Sequence, residues 1–254
     1  MRNFTLFSLA TLLAIAPIAH GQSADFVLSQ HGKQVGTASF NFKASSDGYD
    51  SAALVRINMQ GLNYSLSKTE QLSPANQLRG VQLSAAVNNS AVNVTATPEA
   101  NSAAPILLLK ISANGQQTTT SLATHPAAVF LPDFDPGALE TLLSLAVAQN
   151  SRDLWAIIPK KAGFIAPVQV ATLADEKGTL DGSPIVVHHL EATIGGAVTD
   201  LFSGPKNQLL QAELPQPGFA MVRKGFVLTP PYRPGAPQPP PAQSDAPAEP
   251  SPAN

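Results

Sequence analysis

From Val35 onward apolar and polar residues alternate with period two, and that alternation restricts the chain to a small set of folds. In VGTASFNFK, Ala38, Phe40 and Phe42 share one face, with Thr37, Ser39 and Asn41 on the other. ALVRINM sets Ala53, Val55, Ile57 and Met59 against Leu54, Arg56 and Asn58, and GLNYSLSKTEQL groups Leu62, Tyr64 and Leu66. GVQLSAAV and AVNVTAT are joined through Asn88-Asn89. ILLLKIS and QQTTTSL flank Asn114-Gly115, the strongest short hairpin signal a sequence carries. Such a run reads as a meander of antiparallel strands with one apolar face.

One segment breaks the period. In FDPGALETLLSLAVAQN, Asp135 is a candidate N-cap and Pro136 takes the first helical position. Leu139, Leu142, Leu143 and Ala146 then fall at helical spacing, with Leu145 and Val147 widening the stripe. The spacing predicts a helix over 136–149. Strands resume in DLWAIIP, APVQVATLADE (turning near Lys177-Gly178), SPIVVHHLEATI (after an Asp181-Gly182 turn), AVTDLFS, QLLQAEL and FAMVRKGFVL. The pattern predicts a mainly β domain over 22–228 of about ten to twelve strands with one inserted helix, and no internal repeat.

Both ends differ from this middle. Arg2, the apolar run Phe4–Ala19 and small residues at Ala19 and Gly21 form the three parts of a secretory signal, so residues 1–21 read as a leader cleaved near Gly21. The run is shorter than the roughly 20 residues of a membrane-spanning helix, so no transmembrane anchor is expected. From Thr229 the chain becomes Pro-rich with almost no large apolar residue, and 229–254 reads as a disordered tail with polyproline stretches. There is no Cys, so an exported protein of this kind depends on its core alone. The expected location is the bacterial periplasm or the exterior.

Charge excludes more than it assigns. The net charge is −2 with 13% charged residues, and no basic cluster supports nucleic-acid or anionic-membrane binding. No GxSxG, HExxH or acidic calcium-loop pattern is present, so no cofactor and no catalysis are expected, and a hydrolase has no constellation behind it. Gly195-Gly196 lies between strands and reads as a turn. Arg223 and Lys224 read as solvated strand residues. Asp133 and Asp135 in PDFDPG would suit acid–base work or a cation, yet capping already accounts for Asp135. His188 and His189 are adjacent on one strand, so their rings diverge and do not chelate one metal. Sharing a face with Leu190, Ala192 and Ile194, His188 is expected inward and His189 toward solvent.

ADFVLSQHGKQVGTASFNF and the block LDGSPIVVHHLEATIGGAVTDLFSGPKNQLLQAELPQPGFAMVRKGF together resemble a family of bacterial periplasmic proteins of unknown function, with folds similar to the lipoprotein-carrier LolA/LolB-like superfamily. The resemblance implies a long curved antiparallel sheet or incomplete barrel with helix on its concave side. A helix of about fourteen residues is ~20 Å long and cannot cover a ten-stranded sheet of ~45 Å. The uncovered apolar wall is expected to hold an acyl chain, a lipid or a lipidated partner, lined by Phe40, Phe42, Val55, Ile57, Leu62, Tyr64, Leu66, Leu143, Val186 and Leu190. The alternative is an envelope assembly module that engages another protein through sheet edges and the Pro-rich tail.

Overall fold

The structure, a computed structural model, describes residues 22–99, 106–148, 153–216 and 218–232. The expected leader and residues 233–254 of the expected tail lie outside the described residues, as does Gln149. Seventeen strands and one α-helix make up the described fold. The first half is a meander: β1 (Ser23–Gln30), β2 (Lys33–Ser45), β3 (Gly48–Met59), β4 (Leu62–Leu72), β5 (Leu78–Val87), β6 (Ser90–Pro98), β7 (Ile106–Ala113) and β8 (Gln116–Ala123). A three-residue β9 (Ala128–Phe130) leads into α1 (Pro136–Ala148). Then come β10 (Leu154–Ile158), β11 (Phe164–Thr172), β12 (Glu176–Leu180), β13 (Ser183–Ile194), β14 (Ala197–Ser203), a 3-10 turn (Pro205–Asn207), β15 (Leu209–Glu213), β16 (Phe219–Arg223) and β17 (Phe226–Thr229).

The pairings run β8-β7-β6-β5-β4-β3-β2-β1 and continue through β16, β15, β14, β13, β11 and β10 to β9. β12 and β17 form a flap on the first half of β13. β1 is thus the hinge line between two halves of one sheet. The far ends approach each other, with Thr120 Oγ1 donating to the Ala162 carbonyl at 2.6 Å. Every pair is antiparallel except β9 with β10, so the sheet is mixed and not closed, which corrects the all-antiparallel expectation. Strands β9 and β10 flank α1, and a parallel pair needs such a crossover.

The strand count exceeds the expected ten to twelve for local reasons. β9 and β12 are too short to display a period. FAMVRKGFVL is a hairpin rather than one strand, reversing at Lys224-Gly225 where Gly225 has φ +82°. Lys177-Gly178, expected as a turn, sits inside β12, which continues the direction of β11 along β13 after an irregular 173–175, and the chain reverses only at Asp181-Gly182.

The alternation sorts the two faces of the first half. Phe40, Ala53, Lys68, Leu83, Val94 and Ile111 are successive cross-strand neighbours on the buried face. Ser39, Leu54, Ser67, Ser84, Asn93 and Ser112 run along the outer one. Each fully buried large side chain of the inner rows contributes about 1.5–3 kcal/mol. α1 begins where expected, with Asp135 Oδ1 accepting from the Gly137 and Ala138 amides at 2.9 and 3.2 Å. It is not an amphipathic cover. Pro136 to Leu143, Leu145 and Ala146 are all buried, on every side of the helix, which packs against β2, β3, β9, β15 and the 3-10 turn. A helix enclosed all round belongs to the core.

Candidate functional site

Eight of the ten residues expected to line a cavity come together, but as packed core. Phe40, Phe42, Val55, Ile57, Tyr64, Leu66, Leu143 and Leu190 belong to one buried cluster. Leu62 is partly buried against it, and Val186, 56% exposed, faces solvent on the flap. α1 occupies the space these side chains face: a Cβ on Gly137 would stand 3.2 Å from Phe40 Cβ. Val186 is excluded because β13 changes neighbours along its length. Its first half pairs with β12, its second with β11.

The same change reverses the expected histidine faces. His189 is 3% exposed, whereas His188 lies on the surface with Nδ1 2.9 Å from Asp175 Oδ1. The outer side of β13 and β14 is covered by a second small core of Val187, Phe202, Leu210, Phe226 and Leu228. His189 stacks on Phe202 with ring centroids 4.3 Å apart, and its Nε2 is 3.0 Å from Asp200 Oδ1. Tyr232 completes the group, donating its hydroxyl to Asp200 Oδ2 at 2.7 Å. Partial burial acts to raise the Asp200 carboxyl, but the hydrogen bonds from His189 and Tyr232 outweigh it and hold it below its ordinary value. Tyr232 lies past the expected boundary at 228, so 229–232 belongs to the packed domain. Among the described residues no group of three His, Cys, Asp or Glu is placed to hold a metal ion.

A buried ionic cluster that the pattern reading missed lies beneath the start of α1. Lys68 Nζ is 2.7 Å from Asp135 Oδ2 and 2.9 Å from Glu70 Oε2, with all three side chains shielded from solvent. The signal was present: Lys68 and Glu70 share the parity of Leu62, Tyr64, Leu66 and Leu72, so β4 carries two charges on its inner face. Burial alone would lower the Lys68 ammonium, but the Asp135 and Glu70 carboxylates reverse this and hold it above its ordinary value. Burial raises Glu70; its Oε1 and the Oγ of Ser51, its cross-strand neighbour, have no hydrogen-bond partner among the described residues. One cation between two carboxylates leaves the cluster an excess negative charge, and a proton on Glu70 removes it. On the far side of α1, burial pushes Glu140 up to about 7, against hydrogen bonds from the Leu209 amide at 2.6 Å and from the Gln22 side chain.

Beside the cluster, the segment 131–135 roofs a recess of about 110 Å³ lined by Leu131, Phe134, Leu139, Ile158, Ile194 and Leu214. None of the expected lining residues borders it. A wider, shallow cleft of about 560 Å³ lies around Thr37, Arg56, Asn58 and Ser65, with two of the expected residues, Ile57 and Tyr64, at its border. One corner of the recess is polar: Asp133 Oδ1 accepts from Lys160 at 2.8 Å and from Gln216 Nε2 at 3.0 Å. Phe134 adopts φ +61°, a region that costs a bulky residue about 1–3 kcal/mol. It is held there between Tyr64 and Phe219, with ring centroids 5.7 and 5.1 Å away, while the Tyr64 hydroxyl donates to the Asp133 carbonyl at 3.3 Å.

The arrangement offers an apolar slot, a strained roof and a charged corner. No protein-family profile matches the chain, and no curated protein or solved structure does.

Proposed function

We propose that the chain is an exported, non-catalytic binding protein of the bacterial periplasm that takes an apolar ligand, an acyl chain or a lipid, or the acyl group of a lipidated partner, in the recess beside α1. The observation that carries this reading is an apolar slot roofed by a segment whose central residue, Phe134, is strained. Size decides how it works. A cavity of ~150 Å³ holds a benzene-sized molecule. The ~110 Å³ recess therefore admits the end of a chain, and a full acyl chain enters only as 131–135 lifts away. Lifting lets Phe134 relax, which offsets part of the cost of opening.

Mild purification followed by native mass spectrometry, with titration of a fluorescent fatty acid, tests the reading. Binding is expected in the wild type and is expected to be lost in Leu139→Phe, which fills the recess, with the circular dichroism spectrum retained. A wild type that carries no added mass and takes up no probe ends the proposal.

One observation favours a second reading, an assembly module of the envelope. Among the described residues β8 pairs only with β7, and Gln116–Ala123 carries no charge and no proline. Such an edge accepts another strand. A partner recovered by pull-down that depends on β8 or on 233–254, with no lipid bound, would support this instead.

A further inference from the structure

The buried cluster under α1 holds the parts of a condensation reaction. Lys68 Nζ, a nucleophile once it has given up a proton, is 2.7 Å from Asp135 Oδ2. A nitrogen at that distance from a carboxylate oxygen lies about 3–3.5 Å from the carbon, the separation of a near-attack pair. The other oxygen, Asp135 Oδ1, accepts from the Gly137 and Ala138 amides at 2.9 and 3.2 Å. The same two donors hold the negative charge that gathers on Oδ1 when Cγ is attacked. Glu70 Oε2 is 2.9 Å from the same nitrogen, and burial raises its carboxyl, so it is placed to carry a proton. All three side chains are closed to water, which strengthens each of these interactions.

We propose that Lys68 and Asp135 join through a side-chain amide, which the chain forms by itself and which ties β4 covalently to the cap of α1. Lys68 passes one ammonium proton to Asp135 Oδ2. The freed lone pair bonds to Cγ, and the electrons of the double bond to Oδ1 move onto that oxygen. Glu70 takes a proton from the new C–N nitrogen and gives its own to the Oδ2 hydroxyl. The C–Oδ2 bond breaks, one water leaves, and the double bond to Oδ1 re-forms. Glu70 ends with a proton, as it began, and no further reactant is consumed. Burial acts to lower the Lys68 ammonium, but the Asp135 and Glu70 carboxylates hold it above its ordinary value, so the amine is a minor form and the reaction is slow. It has to happen only once per molecule, and a held pair reaches effective molarities of ~10⁵–10⁸ M. The product is uncharged, so the desolvated ion pair disappears with it. In a chain with no Cys, such a bond takes the place of a disulfide. It forms whether or not the recess takes a ligand.

The test weighs the full mature protein, its N-terminus sequenced, after it has stood folded at neutral pH. The wild type is expected to fall short of its sequence mass by one water. Tandem mass spectrometry of a proteolytic digest should place the loss on a branched peptide joining Lys68 to Asp135. Lys68→Arg, which keeps the charge without the amine, and Asp135→Ala are expected to carry the full sequence mass. Glu70→Gln is expected to slow the loss of water by about 10²-fold or more, the worth of a positioned acid–base group. A wild type of full sequence mass with a free Lys68 amine overturns the proposal, and so does a water lost elsewhere, such as at Asp181-Gly182. Both readouts are made on the wild type and so do not depend on how the variants fold. Loss at an unchanged rate in Glu70→Gln overturns the part given to Glu70.

Discussion

Lys68 Nζ stands 2.7 Å from Asp135 Oδ2 with both side chains closed to water, so an ion pair joins the middle of β4 to the cap of α1. Replacing a buried pair with apolar groups is often harmless, whereas removing one partner strands the other charge. Lys68→Met is therefore expected to cost about 3–5 kcal/mol in chemical denaturation. Lys68→Met combined with Glu70→Leu and Asp135→Asn should recover most of that loss. A single variant of wild-type stability would show that the pair does not hold α1 in place.

Glu140 makes stability depend on pH in an unusual sense. Its carboxyl titrates at about 7 in the folded chain against 4.5 when unfolded, so the native state holds the extra proton between these values. The stability it contributes is complete below about pH 4.5 and is lost as pH rises through 7, amounting to about 3 kcal/mol. Burial raises Glu70 and Glu213 too, and both add to the same trend. Glu140→Gln should flatten the wild-type profile between pH 4 and 8 by that amount. Parallel profiles would refute the assignment.

Tyr232 seals the second core. Tyr232→Phe removes the hydrogen bond to Asp200 and is expected to lower stability by about 0.5–1.5 kcal/mol. Tyr232→Ala also uncovers Phe202 and His189 and should cost more. Thermal melts of the two variants compare them directly, and equal melting temperatures would mean that 230–232 does not pack in solution.

Two glycines on neighbouring parts of the sheet should respond differently. A Cβ on Gly36 would lie 2.1 Å from the Arg56 carbonyl oxygen, a backbone atom that can move only if β2 and β3 part. Gly36→Ala should destabilise by about 1–3 kcal/mol or more. At Gly80 the nearest atom is Gln71 Oε1 at 3.7 Å, so Gly80→Ala should be neutral or mildly stabilising. Equilibrium unfolding of both tests the register of β2 on β3.

Much of the fold is legible in the sequence because one physical rule, a strand's alternation between faces, operates along most of it. The inner set from Ala38 to Leu66, the Asn114-Gly115 hairpin and the start of α1 all follow from local residues. Alternation sorts side chains into two sets but does not say which set is covered, and that is why His188 and His189 exchange places: Tyr232, which packs on His189 and Phe202, comes from beyond β17, another part of the chain. It is equally silent on shape. Nothing in the spacing of Phe40 and Phe42 distinguishes a wall facing a ligand from one facing α1. Lys68 and Glu70 were readable, since charges in phase with Tyr64 and Leu66 require a buried counter-charge. Asp135 supplies part of it, with one oxygen on Lys68 and the other on the cap.

β1 pairs on one side with its sequence neighbour, Phe26 opposite Ala38, and on the other with the far end of the domain, Phe26 opposite Arg223. A chain made from its N-terminus can build the meander early, but one flank of its innermost strand stays bare until the last hairpin has been added. Completing the sheet is thus coupled to completing the chain. A premature stop before β16 would not yield a smaller working protein; it would leave a hydrophobic seam open at the centre of the sheet, ready to stick to its own kind.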